Sequence, residues 1–102
     1  MRAKELMQRI KSNNPLTVVD VRSKLEFRAG HVPGAIHVPM WKILFRLAKL
    51  PEDKSAEFVL TCEHGPRAQM AQKLLGQRGY RNLVLLDGHM AAWRRSGLKI
   101  EK

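Results

Sequence analysis

Phe58-Val59-Leu60-Thr61-Cys62-Glu63-His64-Gly65-Pro66-Arg67 is the stretch on which the reading of this chain turns. Its first four residues are apolar or β-branched without alternation, the pattern of a strand buried on both faces rather than one. Cys62 to Gly65 then form a short loop. Pro66, whose missing N–H costs nothing at the first helical position, opens a helix through Gln77, with Ala68, Ala71, Leu74 and Leu75 at helical spacing and Gly79 beyond its end. A buried strand running directly into a helix belongs to a parallel sheet, and ligands of such sheets bind beyond the carboxyl ends of the strands. That rule places Cys62 at a binding edge.

Working outward, the same alternation recurs. Upstream, Leu6, Met7 and Ile10 mark a helix over residues 3–12, stopped by Asn13-Asn14-Pro15, and Leu16 to Val21 reads as a second buried strand. Ser23 and Glu26 have the spacing of a capping box, which starts a short helix over 24–29 ended by Gly30. His31-Val32-Pro33-Gly34 is turn chemistry, Ala35 to Val38 a short strand closed by Pro39, and residues 40–50 a helix with Lys42, Arg46 and Lys49 on one face. Downstream, Leu83 to Leu86 is a further strand and Met90–Arg95 the last helix, stopped by Gly97. Leu98-Lys99-Ile100 is a marginal edge strand. The expected fold class is α/β: a mainly parallel sheet of four to five short strands covered on both faces, in one domain over residues 1–102.

Composition narrows the function. With 102 residues, 44% of them hydrophobic and 27% charged, the chain reads as globular. Its one cysteine cannot form an internal disulfide and suits a reducing compartment. Neither a secretory leader nor a membrane-length apolar run is visible, so the expected location is cytoplasmic. Nineteen Lys and Arg against nine Asp and Glu give a net charge of +10, a field that draws anionic partners. Specific nucleic-acid binding is set aside: the cations are spread along the chain, aromatics are only 6%, and no recognised binding motif appears. A small anionic substrate fits the charge.

The chemistry gathers at Cys62. A short loop ahead of a helix points unsatisfied N–H groups and a positive partial charge at one spot, which binds anions and favours a thiolate, the nucleophilic form of a group with a free pKa of about 8.5. Gly65 permits the curl, Arg67 can offer a planar fork to a bound oxyanion, and Pro66 supplies no donor. Glu63 is expected to point outward, since an inward carboxylate would oppose both thiolate and anion. Against this stands the reading of Cys62 as an inert buried cysteine at a strand end. His31, His37, His64, His89 and Cys62 have no recognisable metal-ligand spacing, so no metal is expected.

Four segments resemble the rhodanese family. Cys62-Glu63-His64-Gly65-Pro66-Arg67 is similar to its Cys-x-x-Gly-x-Arg active loop, and Asp20-Val21-Arg22 to the Asp-x-Arg after its early strand. Glu26-Phe27 with Gly30 to Pro39 resembles a second signature, and Leu86 to Trp93 a third. The resemblance implies a three-layer α/β/α rhodanese-like domain and a two-step transfer. The Cys62 thiolate takes the outer sulfur of thiosulfate, releases sulfite, and passes the sulfur from a persulfide to cyanide or a thiol, without metal or organic cofactor. It implies that loop amides from Glu63, His64, Gly65 and Arg67 hold the anion or persulfide. Four residues separate Cys62 from Arg67, where related phosphatases use five, so a phosphatase-type reaction is the weaker implication. A sulfur-delivery module serving a protein acceptor, with little turnover of free thiosulfate, is the main alternative. Two departures are visible. His89 stands where a second glycine is common, expected to alter the turn but not the active loop, and a strand ahead of the first helix is expected to be missing.

The remaining candidates have plainer readings beside the functional ones. Asp20 is read as structural support through a buried ion pair with Arg22, while Arg22 is either that partner or an anion-binding group at the pocket mouth. His31 is read as bracing a turn, His37 as structural or exposed, and His64 either as a donor to the site or as an exposed loop residue. Trp93 and Met90 are core residues. Packing on the sheet is the default for the helix over 40–50, with docking of a protein partner or membrane surface as a separate option.

Overall fold

The computed structural model describes residues 1–12 and 16–102. Nine elements follow in order: α1 (Ala3–Lys11), β1 (Thr17–Asp20), α2 (Lys24–Ala29), β2 (Ile36–His37), α3 (Met40–Leu44), β3 (Phe58–Thr61), α4 (Pro66–Gln77), β4 (Leu83–Leu85) and α5 (His89–Arg95). The four strands form one all-parallel sheet in the order β2-β1-β3-β4. The stop expected at Asn13-Asn14-Pro15 lies outside the described residues. No helix among the described residues is long and apolar enough to cross a membrane.

Strand periodicity divides the core in two. In β3 and just beyond it, Phe58, Leu60 and Cys62 face one way and join Val19, Ile43, Ala68, Ala71 and Leu75, under α3 and α4. Val59 faces the other way and joins Leu6, Met7, Val18, Leu86, Met90 and Trp93, under α1 and α5. All four residues of β3 are buried, as a central strand with helices on both faces must be. Three layers result, and every strand's carboxyl end opens at one edge.

Several boundaries follow local chemistry. The capping box at α2 is formed, with Ser23 Oγ accepting from Glu26 N and Glu26 Oε1 accepting from Ser23 N. At the end of α4 the amides of Gly79 and Tyr80 close back on the carbonyls of Gly76 and Leu75, with Gly79 at φ +96°.

Two expected elements are corrected. The helix over 40–50 stops at Leu44. The amides of Arg46 and Leu47 close back on the carbonyls of Ile43 and Lys42, and Arg46 takes the left-handed position at φ +60° that glycine takes after α4. The chain turns away after Leu44 and places Ala48 and Leu50 against the core, while Phe45 and Leu47 stay exposed. The segment 98–100 is not a strand: it contributes Leu98 and Ile100 to the core by packing, and its neighbour Glu101 makes an isolated antiparallel bridge to His31. β2 and β4 are therefore the edges of a four-stranded sheet.

Candidate active site

Cys62 leaves β3 at the carboxyl edge and is only 1% exposed. Its sulfur is buried but not surrounded by hydrocarbon alone, because the Gly65 amide donates to Sγ at 3.0 Å. That geometry depends on glycine: Gly65 has φ +130°, a conformation side chains rarely adopt, and it caps α4, whose first residue is Pro66. The loop's donor therefore points at the sulfur from the amino end of a helix.

The loop is held from behind by α5. Met90 N donates to the Cys62 carbonyl at 3.0 Å and Ala91 N to the Glu63 carbonyl at 3.2 Å. The free amides of one helix start thus satisfy the carbonyls of the other loop. His89 adds a side-chain contact: its Nδ1 accepts from Cys62 N at 3.3 Å, and its ring is the surface that a Cβ on Gly65 would meet. Accepting an amide requires Nδ1 to be bare, so the neutral ring carries its proton on Nε2. Burial pushes the His89 imidazole below its ordinary range, with Asp87 opposing and His64 and the N-terminus assisting. The expectation that His89 changes only the turn is therefore corrected: the ring is part of the wall of the Cys62 loop. Its signal in the sequence was its place two residues after Asp87, but only the fold brings it to Cys62.

The arginines are committed to carboxylates. Arg22 is 2% exposed, gives Nε and Nη2 to the buried Asp20, gives Nη2 also to the Gly30 carbonyl at 2.7 Å, and faces Glu63 Oε1 with Nη1 at 3.4 Å. The ion-pair alternative for Arg22 is the one formed, with Nη1 reaching only Glu63. Glu63 does not point freely outward as expected. It is half-buried between Arg22 and Arg94, an arrangement that neutralises the carboxylate beside the thiol. Arg67, read as a fork for a bound anion, gives both terminal nitrogens to Glu26, at 2.6 and 2.9 Å. Those hydrogen bonds hold the Glu26 carboxyl down at about 2. The same pair raises Arg67 above its ordinary value, with smaller help from charge on Cys62 and Asp20.

The histidines divide as their neighbours dictate. His31 Nδ1 donates to the Phe27 carbonyl at 2.8 Å and its ring stacks on Phe27, so it braces the turn. His37 Nε2 donates to the Arg22 carbonyl at 2.8 Å. His64 is exposed at the loop tip. Among the described residues no group of three His, Cys, Asp or Glu side chains is placed to hold a metal ion.

Comparison with known proteins adds to this geometry. The sequence profile of the rhodanese-like domain matches residues 2–96. A sulfurtransferase of Allochromatium vinosum is 34% identical over 98 residues, covering 96% of this chain and 90% of that protein. A putative sulfur carrier protein of Bacillus subtilis is 28% identical over 86 residues, covering 84% of this chain but only 45% of that protein. The crystal structure of a rhodanese-related protein from Thermoplasma volcanium superposes with a TM-score of 0.83 at 28% identity, covering 99% of this chain and 95% of that one.

Proposed function

The chain belongs to the family of rhodanese-like domains, and from that premise we propose that it carries a sulfane sulfur as a persulfide on Cys62, taken from thiosulfate or a similar small anionic donor. In the first step the Cys62 thiolate attacks the outer sulfur of thiosulfate. The new bond joins Sγ to that sulfur while the bond to the sulfonate sulfur breaks, and sulfite leaves with the electron pair. In the second step cyanide or an acceptor thiolate attacks the terminal sulfur, and Cys62 leaves as a thiolate. Electrons balance within the sulfur atoms, so neither step calls for a metal or organic cofactor.

The observation that carries this reading is the Gly65 amide 3.0 Å from Cys62 Sγ at the tip of α4. A donor fixed in that position faces negative charge on sulfur, and on an incoming anion, without having to reorganise. The paired state of Glu26 and Glu63 supports it, because neither carboxylate is left unopposed to repel a thiosulfate dianion. A thiol with this task suits a reducing compartment, and the cytoplasm is the proposed location. A phosphatase-type reaction has less support: four residues separate Cys62 from Arg67, where related phosphatases use five.

A second reading is delivery of the sulfur to one protein with little turnover of free thiosulfate. The likeness to a protein named as a putative sulfur carrier favours it. One experiment separates the readings. The intact chain incubated with thiosulfate is expected to gain the mass of one sulfur atom, to lose it to dithiothreitol, and to show no gain as Cys62→Ser. No gain in a folded wild-type chain overturns the persulfide. Steady thiocyanate formation from thiosulfate and cyanide then supports free turnover, and its absence supports delivery.

A further inference from the structure

Between Glu26 and Glu52 the chain has no acidic residue, while Arg28, Lys42, Arg46 and Lys49 all fall there. In the same interval Trp41, Leu44, Phe45 and Leu47 are between 53% and 72% exposed. Four large apolar side chains exposed within seven residues of sequence, in an interval whose charged side chains are all cations, leave more apolar surface there than isolated exposure would.

The near end of this segment lies at the thiol's edge of the sheet, and its far end, at Arg46, reaches the carboxyl end of α4 beside Gln77 and Tyr80. α3 begins just past the carboxyl end of β2, at the edge where the Cys62 loop leaves β3. Trp41 and Lys42 line a cleft with Ser23, Lys24, His37 and Pro39. Ser23 caps α2, and Glu26 in the first turn of α2 holds Arg67. A single helical turn thus links the cleft to the active loop. Arg46 supplies a second argument. It sits at φ +60°, where glycine would rest without strain, and it is exposed, with no hydrogen bond or ion pair to its guanidinium among the described residues.

We propose that this face docks an acidic protein whose thiol accepts the sulfur from Cys62. The inference rests on the transfer reading above. On docking, the acceptor thiolate attacks the terminal persulfide sulfur, the sulfur–sulfur bond breaks, and Cys62 leaves as a thiolate. Charge selects this occupant. A second copy, itself at +10, is repelled. A lipid surface would satisfy the charge but offers no thiol.

Tryptophan emission gives a readout independent of sulfur chemistry, because Trp41 is exposed and the other tryptophan, Trp93, is fully buried. The probes are a single-cysteine peptide of interspersed leucines and glutamates, and its twin with glutamine for each glutamate. With the Cys62→Ser chain at low salt, the glutamate peptide is expected to shift Trp41 emission to the blue and to bind about tenfold tighter than its twin, an advantage that salt erodes. The double variant Lys42→Glu, Arg46→Glu is expected to erase it. With Cys62 intact, that variant is expected to transfer sulfur about tenfold more slowly to the glutamate peptide and at an unchanged rate to 2-mercaptoethanol. Equal binding of the two peptides overturns the proposal. So does an equal loss toward both acceptors, a wild-type dimer in sedimentation that Phe45→Asp splits, or an emission shift on phosphatidylserine vesicles without one on the peptide. Binding that persists when thiosulfate adds no mass upholds the face and removes the chemistry. Mass gain without binding removes the face alone.

Discussion

His89 occupies left-handed backbone at φ +52°, a conformation that costs most side chains about 1 to 2 kcal/mol. Histidine tolerates it better than most, and here the conformation aims Nδ1 at the Cys62 amide. Protonating Nδ1 would set two donors against each other beneath the active loop. Because burial holds the folded imidazole below its unfolded value of 6.5, the folded state binds the proton less readily than the unfolded one. The stability tied to neutral His89 is therefore complete above pH 6.5 and is lost as pH falls toward the folded value. Urea midpoints are expected to drop more between about pH 7.5 and about pH 5 in the wild type than in His89→Asn, which keeps an acceptor and tolerates the backbone but does not titrate. Parallel drops in the two proteins would show that another group carries the pH dependence. Cys62, Gly65 and Arg67 were legible as a group from their spacing, and Asp20 with Arg22 from the resemblance of Asp20-Val21-Arg22 to a family motif. The ring of His89 was not, since its contact with Cys62 spans 27 residues.

Among the elements, α3 shows where local reading fails. Its sequence Met40-Trp41-Lys42-Ile43-Leu44 continues into Phe45-Arg46-Leu47 with no glycine or proline to stop it. Helix propensity alone carries the pattern to Leu50, yet packing of Ile43, Ala48 and Leu50 in the core requires a turn between them. Arg46 makes that turn at a position suited to glycine. Arg46→Gly is expected to raise stability by about 1 kcal/mol, read as a later urea midpoint. An unchanged or earlier midpoint would mean that the left-handed turn carries no strain. By contrast, α2 and α4 were readable because their ends are written in side chains: Ser23 and Glu26 at one start, Pro66 and Gly79 at the two ends of the other.

Across the molecule, one chain of charges ties the layers together at the carboxyl edge. Asp20 ends β1, Arg22 follows it, Glu63 lies in the loop after β3, and Arg94 belongs to α5. Asp20 is fully buried and accepts from Arg22 N as well as from its guanidinium. Removing one partner of such a pair strands a buried charge, so Asp20→Ala is expected to cost about 3 to 5 kcal/mol in denaturant unfolding. A loss under about 1 kcal/mol would show that water or Glu63 replaces the lost carboxylate.

Composition, strand patterning and four short motifs were enough by themselves to determine an α/β sheet, the thiol at its carboxyl edge and the family of the chain, because each is a local signal carried by neighbouring residues. Only the tertiary structure decided the partners of the charged and polar side chains of the Cys62 loop. It turned Arg67 and Glu63 toward partners in α2, α5 and the end of β1, and brought His89 under the loop. It also broke the helix after Leu44 and left Trp41, Leu44, Phe45 and Leu47 exposed in a stretch whose charges are all positive. Hydrogen bonds and packing between residues distant in sequence settle such choices, and no local pattern encodes them.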